Sequence, residues 1–220
     1  MNKGNTYISV TIQNTGWHWP LRISLILFFF LTFFLVQAQC PTAVVIHTAA
    51  TICSGSSAAI ELTSNQPGTV YSWTTVQTNV VGAMDTRGSS VLQVLTVTAA
   101  MPGSVTYTIT PFANGCKGEP VFVSISVMPI PVISASPLTS TLFSGNSTAI
   151  ELMSDADETE FSWTVIQSGV SGAIRGTGSL ISHTLTTAAD KGIATYRITP
   201  ALKGCVGESI NAKVIVNKQP

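Results

Sequence analysis

The side chains with chemical potential in this sequence are few and scattered. Past residue 38 there are two histidines, His47 and His183, and four cysteines, Cys40, Cys53, Cys116 and Cys205. Four cysteines permit three connectivities, and their spacing leaves all three open. Carboxylates gather only at Asp155, Asp157, Glu158 and Glu160. Such a group could offer oxygens to Ca²⁺, which takes several at once. Ser54-Gly55 lacks the G-x-S-x-G setting of a nucleophile elbow. There is no H-E-x-x-H, no C-x-x-C and no phosphate loop. We expect no catalytic, cofactor-binding or metal-holding set, and no enzyme. Trp73 and Trp163 are either stacking platforms for sugar or core residues.

Composition narrows the partners. Charged residues make up 9% of the 220 residues, and ten Lys and Arg balance ten Asp and Glu. A nucleic-acid footprint needs clustered cations to displace counterions, and docking on anionic lipid needs a basic patch. Neither is present. Ile23 to Val36 reads "ISLILFFFLTFFLV", preceded by Arg22 and followed by "VQA" at Val36–Ala38. The run is too short to span a bilayer and suits a secretory h-region. Residues 1–38 therefore read as a signal peptide, with no further membrane association expected. Gln39 before Cys40 argues against lipidation. An exported chain lies in an oxidising compartment, where its cysteines pair.

The elements that position these residues are written twice. "YSWTTVQTNVVGA" (Tyr71–Ala83) matches "FSWTVIQSGVSGA" (Phe161–Ala173), and "SGSSAAIEL" (Ser54–Leu62) matches "SGNSTAIEL" (Ser144–Leu152). After one deletion near Pro102–Gly103, "TYTITP" matches "TYRITP" and "NGCKGE" matches "KGCVGE". Each unit of about 90 residues is too long for a solenoid repeat and has the size of a small domain. The internal period is two: Tyr107 and Ile109 oppose Thr106, Thr108 and Thr110, and Tyr196 and Ile198 oppose Arg197. Seven short strands per unit, separated by "NQPG", "MPG" and "ANG", predict an antiparallel β-sandwich. The expected fold is all-β: two tandem sandwiches over 40–129 and 130–220, joined at "MPIP".

The ordered motifs "ICSG…AIEL", "YSWT", "VGA", "TYTITP", "ANGC" and the closing "PIP" resemble the PKD-like domain of Bacteroidetes-type surface proteins. The resemblance covers Ile52 to Pro220. It implies an Ig-like, non-enzymatic module found in tandem in secreted adhesin-like and gliding-associated proteins, often ahead of a sorting domain. No sorting domain follows "VNKQP", so a truncated reading frame or a piece of a longer surface protein is expected. The resemblance also implies a disulfide between Cys53 and Cys116, which occupy the family's motif positions. One condition attaches. In an up-and-down sandwich these cysteines lie at opposite ends, so the bond requires a departure from that order. Phe143 stands where Cys53 has its counterpart, leaving Cys205 free or joined outside its unit.

The repetition of Trp73 and Trp163, with Tyr107 and Tyr196, marks them as expected core. Asp155 to Glu160 face "NQPGTV" in the first unit, so no calcium site is common to both units. His183 aligns with Gln93 and reads as a polar position, not a base. The expected function is an exported spacer or adhesive element, with cell-surface glycans or other envelope proteins as partners. A carbohydrate-binding module is the rival. It requires an exposed aromatic strip, for which Phe122, Tyr71 and Phe161 are the candidates.

Overall fold

The structure, a computed structural model, describes residues 39–220 apart from Thr48. The expected signal peptide lies outside the described residues. In the first half the strands are β1 (Ala43–His47), β2 (Thr51–Cys53), β3 (Ser56–Ser64), β4 (Val70–Thr78), β5 (Val80–Val81), β6 (Thr86–Gly88), β7 (Ser90–Val97), β8 (Gly103–Ala113), β9 (Cys116–Lys117) and β10 (Val121–Met128). The second half contains β11 (Ile133–Ser136), β12 (Thr139–Phe143), β13 (Ile150–Ser154), β14 (Glu160–Ser168), β15 (Gly176–Thr177), β16 (Leu180–Ile181), β17 (Lys191–Leu202), β18 (Cys205–Val206) and β19 (Ile210–Asn217).

Each half is a two-sheet sandwich. In the first, β1-β3-β7-β5 faces β2-β10-β8-β4-β6, with β9 folded onto β8. In the second, β11-β13-β16 faces β12-β19-β17-β14-β15, with β18 on β17. The alternation of apolar and hydroxyl residues fixes which face turns inward, because successive side chains on a strand point opposite ways. Val105, Tyr107 and Ile109 of β8 meet Val123, Ile125 and Val127 of β10, with Ala58, Ile60, Val91 and Leu95 across the sandwich. Ala194, Tyr196, Ile198, Val214, Ile150 and Leu185 form the corresponding second core.

The entering strand is split in two, β1 and β2. β1 pairs antiparallel with β3. The chain then crosses to the other sheet, where β2 runs parallel to β10. The second half repeats the crossing, with β11 on β13 and β12 parallel to β19. The hairpins after β8 and β17 are two-residue turns. Asn114-Gly115 has φ of 52° and 76°, and Lys203-Gly204 has 46° and 90°. Two successive positive φ values match the twist of the flanking strands, which is why such turns favour Asn-Gly. These turns carry Cys116 and Cys205 to the entry end of each sandwich.

Candidate functional site

The cysteines meet where the chain enters each sandwich. Pro41 places its carbonyl against Gly118, and Pro131 does the same against Gly207; a Cβ on either glycine would collide with that carbonyl. Each glycine N–H donates to a proline carbonyl of the preceding strand, Gly118 to Pro111 and Gly207 to Pro200, both at 2.9 Å. Cys40, just before Pro41, thereby lies beside Cys116, and the two are bonded with Cα atoms 5.3 Å apart. In the second sandwich the residue before the seated proline is Ile130, so Cys205 has no partner of that kind. Its partner comes from the first sandwich. Cys53 sits opposite Met128 at the end of β10, Ser54 N–H donates to the Met128 carbonyl at 2.8 Å, and Cys53 is bonded to Cys205 across 152 residues of sequence.

This corrects the expected Cys53–Cys116 bond. The two residues lie at opposite ends of the first sandwich, separated by the length of β10, about 25 Å at strand rise. A disulfide needs Cα atoms within about 7 Å. That separation excludes the bond, and Cys205 joins a residue outside its unit. The usable signal was the alignment of Cys40 with Ile130, each directly before a proline.

The four repeated aromatics are inside. Trp73 is 4% exposed and Trp163 6%, while Tyr107 and Tyr196 are fully covered. Buried indole N–H groups need acceptors. Trp73 Nε1 donates to the Met84 carbonyl at 3.2 Å and Trp163 Nε1 to the Ile174 carbonyl at 3.1 Å. Gln77 and Gln167 each clamp an alanine backbone, at Ala83 and Ala173, through both amide atoms. The Tyr107 hydroxyl donates to Gln93 Oε1 at 3.0 Å. The Tyr196 hydroxyl lies 3.0 Å from Nδ1 of His183. Burial pushes both tyrosines up to about 12, opposed at Tyr196 by a hydrogen bond with Thr148. Burial lowers His183 below its ordinary value. His183 and Gln93 therefore do one job, satisfying a core hydroxyl.

The acidic stretch is equally local. Asp155 Oδ1 accepts from the Val132 N–H at 2.8 Å, as Asn65 Oδ1 accepts from the Thr42 N–H at 2.9 Å in the first sandwich. Each fastens the entering strand to a hairpin. Glu158 pairs with Lys203 at 3.2 Å. Among the described residues no three His, Cys, Asp or Glu side chains gather in a metal-holding group.

The model of the PKD-like domain matches residues 50–131 and again residues 140–220. The chain belongs to the PKD-like domain family. No curated protein matches it. Solved structures with a similar fold include three N-terminal domains of the bacteriophage RB49 highly immunogenic outer capsid protein, at 12% identity and a TM-score of 0.44, covering 82% of this chain and 70% of that one. Sidekick-1 immunoglobulin domains 1–4 match at 11% identity and a TM-score of 0.43, covering 82% of this chain and 49% of that one. Murine CEACAM1b matches at 13% identity and a TM-score of 0.36, covering 80% of this chain and all of that one. The chain spans about half the length of the Sidekick-1 structure.

A shallow cleft recurs beside β4 and β14. In the first module Val70, Ser72, Arg87, Thr110, Phe112 and Lys117 line about 240 Å³. In the second, Glu160, Ser162, Thr177 and Ala201 hold the matching positions in a cleft of about 520 Å³. Of the candidate aromatics, Tyr71 and Phe161 are buried and Phe122 is exposed. Phe112 is also exposed. Sequence reading missed it because the repeated motif "TYTITP" stops at Pro111, one residue short of it. A continuous aromatic strip shared by both modules is thus absent among the described residues.

Proposed function

We propose that the protein is an exported, non-enzymatic spacer and interaction module of a cell-envelope or secreted surface protein, of the adhesin-like and gliding-associated kind that Bacteroidetes-type bacteria display. Its partners in this reading are other envelope proteins. The observation that carries it is the Cys53–Cys205 bond. This bond brackets the Met128–Pro131 linker and ties one sandwich to the next. Tension applied between Cys40 and Pro220 then loads only β1, β2, β18 and β19 and leaves β3 to β17 off the path, because the covalent path runs from Cys40 to Cys53, crosses to Cys205 and continues to the end. The extensible contour is about 100 Å, against roughly 600 Å for the reduced chain. Structural disulfides form and persist chiefly in oxidising compartments, in keeping with a leader of secretory type.

Single-molecule pulling between Cys40 and Pro220 tests the mechanical part. The expected result is a contour near 100 Å that lengthens about sixfold on reduction. Fractionation of the tagged chain from its host tests export, with thiol alkylation as readout. Four cysteines alkylated only after reduction, in an envelope or extracellular fraction, are expected. A cytoplasmic chain with four reactive thiols, or a long contour in the oxidised state, overturns the reading.

A further inference from the structure

The first module carries only two lysines or arginines between Cys40 and Met128, Arg87 and Lys117. Both line the same cleft, the one beside β4. The second module has six such residues, and none lines the matching cleft. Position by position, Val70, Arg87, Phe112 and Lys117 become Glu160, Thr177, Ala201 and Val206, while Ser72 and Thr110 remain hydroxyls as Ser162 and Thr199. The fold therefore holds without the two cations and the ring. Their convergence in one module points to a ligand, not to stability.

Register sets the pattern. On the outward face, Arg87 of β6, Ser72 of β4 and Thr110 of β8 form one row across the sheet. Val70 of β4, Phe112 of β8 and Lys117 of β9 form the next. The rows lie two residues apart, so the cations occupy opposite corners, with Cα atoms about 16 Å apart at strand spacing and rise. Between them stand Phe112 and Val70, each 50% exposed, and the two hydroxyls. Both corners are held in place. Asp85 accepts from the Thr75 N–H at 2.8 Å and from its hydroxyl at 2.9 Å, which fixes the entry to β6. The Cys40–Cys116 bond fixes β9. Neither cation is spent inside the protein, since the one ion pair among the described residues joins Glu158 to Lys203.

We propose that this cleft binds an acidic saccharide, a run of hexuronate rings, with carboxylates on Arg87 and Lys117 and a ring face on Phe112. A guanidinium holds a carboxylate through two parallel hydrogen bonds. An aromatic surface with a few placed hydroxyls and charges is the usual lining of a small-ligand site, and Ser72 and Thr110 offer both donors and acceptors to sugar hydroxyls. An acidic peptide is the poorer fit. Extended peptides add to open sheet edges, and β4 and β8 are paired on both sides here. Two cations are too few for nucleic acid or anionic lipid. From Cys40 onward the chain has eight Lys and Arg, ten less Lys3 and Arg22, against ten Asp and Glu. Its general field thus repels a polyanion, and attachment depends on this cleft. The site stands apart from the spacer reading and is tested without it.

Amide NMR titration of the oxidised compact unit Cys40–Pro220, which holds both disulfides and both cores, provides the test. The probes are trigalacturonate and trimannuronate. At least one is expected to bind with a Kd of about 0.1–1 mM, moving the amides of Ser72, Arg87, Thr110, Phe112 and Lys117 and leaving those of Ser162, Thr177 and Thr199 in place. Maltotriose has the rings without the charge, and triglutamate has the charge without the rings. Each is expected to bind at least about tenfold more weakly. R87T/K117V, which copies the second module, is expected to weaken hexuronate binding at least about tenfold while keeping the melting transition. F112A, which copies it at the ring, is expected to weaken binding about fivefold. Should R87T/K117V lose its transition, R87Q carries the test with an expected loss of about fivefold. No binding of either hexuronate up to about 10 mM overturns the proposal. So does binding that survives loss of the cations or of the ring, or that triglutamate or maltotriose matches.

Discussion

His183 shows how one core solves a problem in two ways. A fully buried tyrosine hydroxyl in the middle of a sandwich must have a partner. The first module supplies Gln93 Oε1, which never titrates, and the second supplies His183 Nδ1. Tyr196 can donate to Nδ1 only while that atom is unprotonated. Burial holds the His183 pKa below its ordinary 6.5 in the folded state, so the unfolded chain takes up its proton first. The stabilisation is complete above about pH 6.5 and is lost as pH falls through that value toward the folded pKa. H183Q, which copies the first module, is expected to flatten the fall in melting temperature of the second module between pH 7.5 and pH 5.5. A variant that loses as much as the unaltered protein over that window removes His183 from this role. Position 183 was legible as polar from its alignment with Gln93. Its hydroxyl partner was not, because the sequence pattern does not show that β16 and β17 belong to facing sheets.

At the level of elements, period two and turn chemistry located the long strands to within a few residues. What escaped was short or non-local. β2, β6 and β9 have two or three residues each, too few for alternation to register. The parallel pairing of β2 with β10 joins residues more than 70 positions apart. That crossing moved Cys53 to the exit end of its sandwich and so decided which disulfides exist. The entry end depends on the glycine that seats the incoming proline. With no Cβ, Gly118 lets the Pro41 carbonyl approach its backbone closely. G118A is expected to destabilise the first module by about 1–3 kcal/mol in urea unfolding, and to slow closure of the neighbouring Cys40–Cys116 bond on reoxidation. An unchanged midpoint and closure rate would mean that the entering chain is positioned by Asn65 alone.

At the level of the whole molecule, the cysteines obey a rule once the repeats are superposed. Each module offers a cysteine at its entry hairpin, Cys116 in one and Cys205 in the other. The first also offers one at its exit, Cys53, and that exit cysteine bonds the next entry cysteine. Cys40 closes the first entry hairpin, where no module precedes it among the described residues. The second exit position holds Phe143, about half exposed and unable to bond. If the junction is a transferable contact between exit and entry ends, restoring the missing chemistry should propagate it. F143C supplies an exit thiol, and C40S frees Cys116 to receive it. The double variant, held concentrated in a glutathione redox buffer, is expected to give a non-reducing ladder at multiples of the chain mass. C40S alone and F143C alone each carry a single free thiol and should stop at a disulfide dimer, without a ladder. The bond formed would join the introduced thiol at position 143 of one copy to Cys116 of the next, identifiable by peptide mapping. Such a contact is head-to-tail and does not close, so the ladder should lengthen with time instead of stopping at a dimer. A double variant that stays monomeric would show that Cys53 finds Cys205 only because Met128–Pro131 holds the two ends at high effective concentration, and that the end faces themselves carry no affinity.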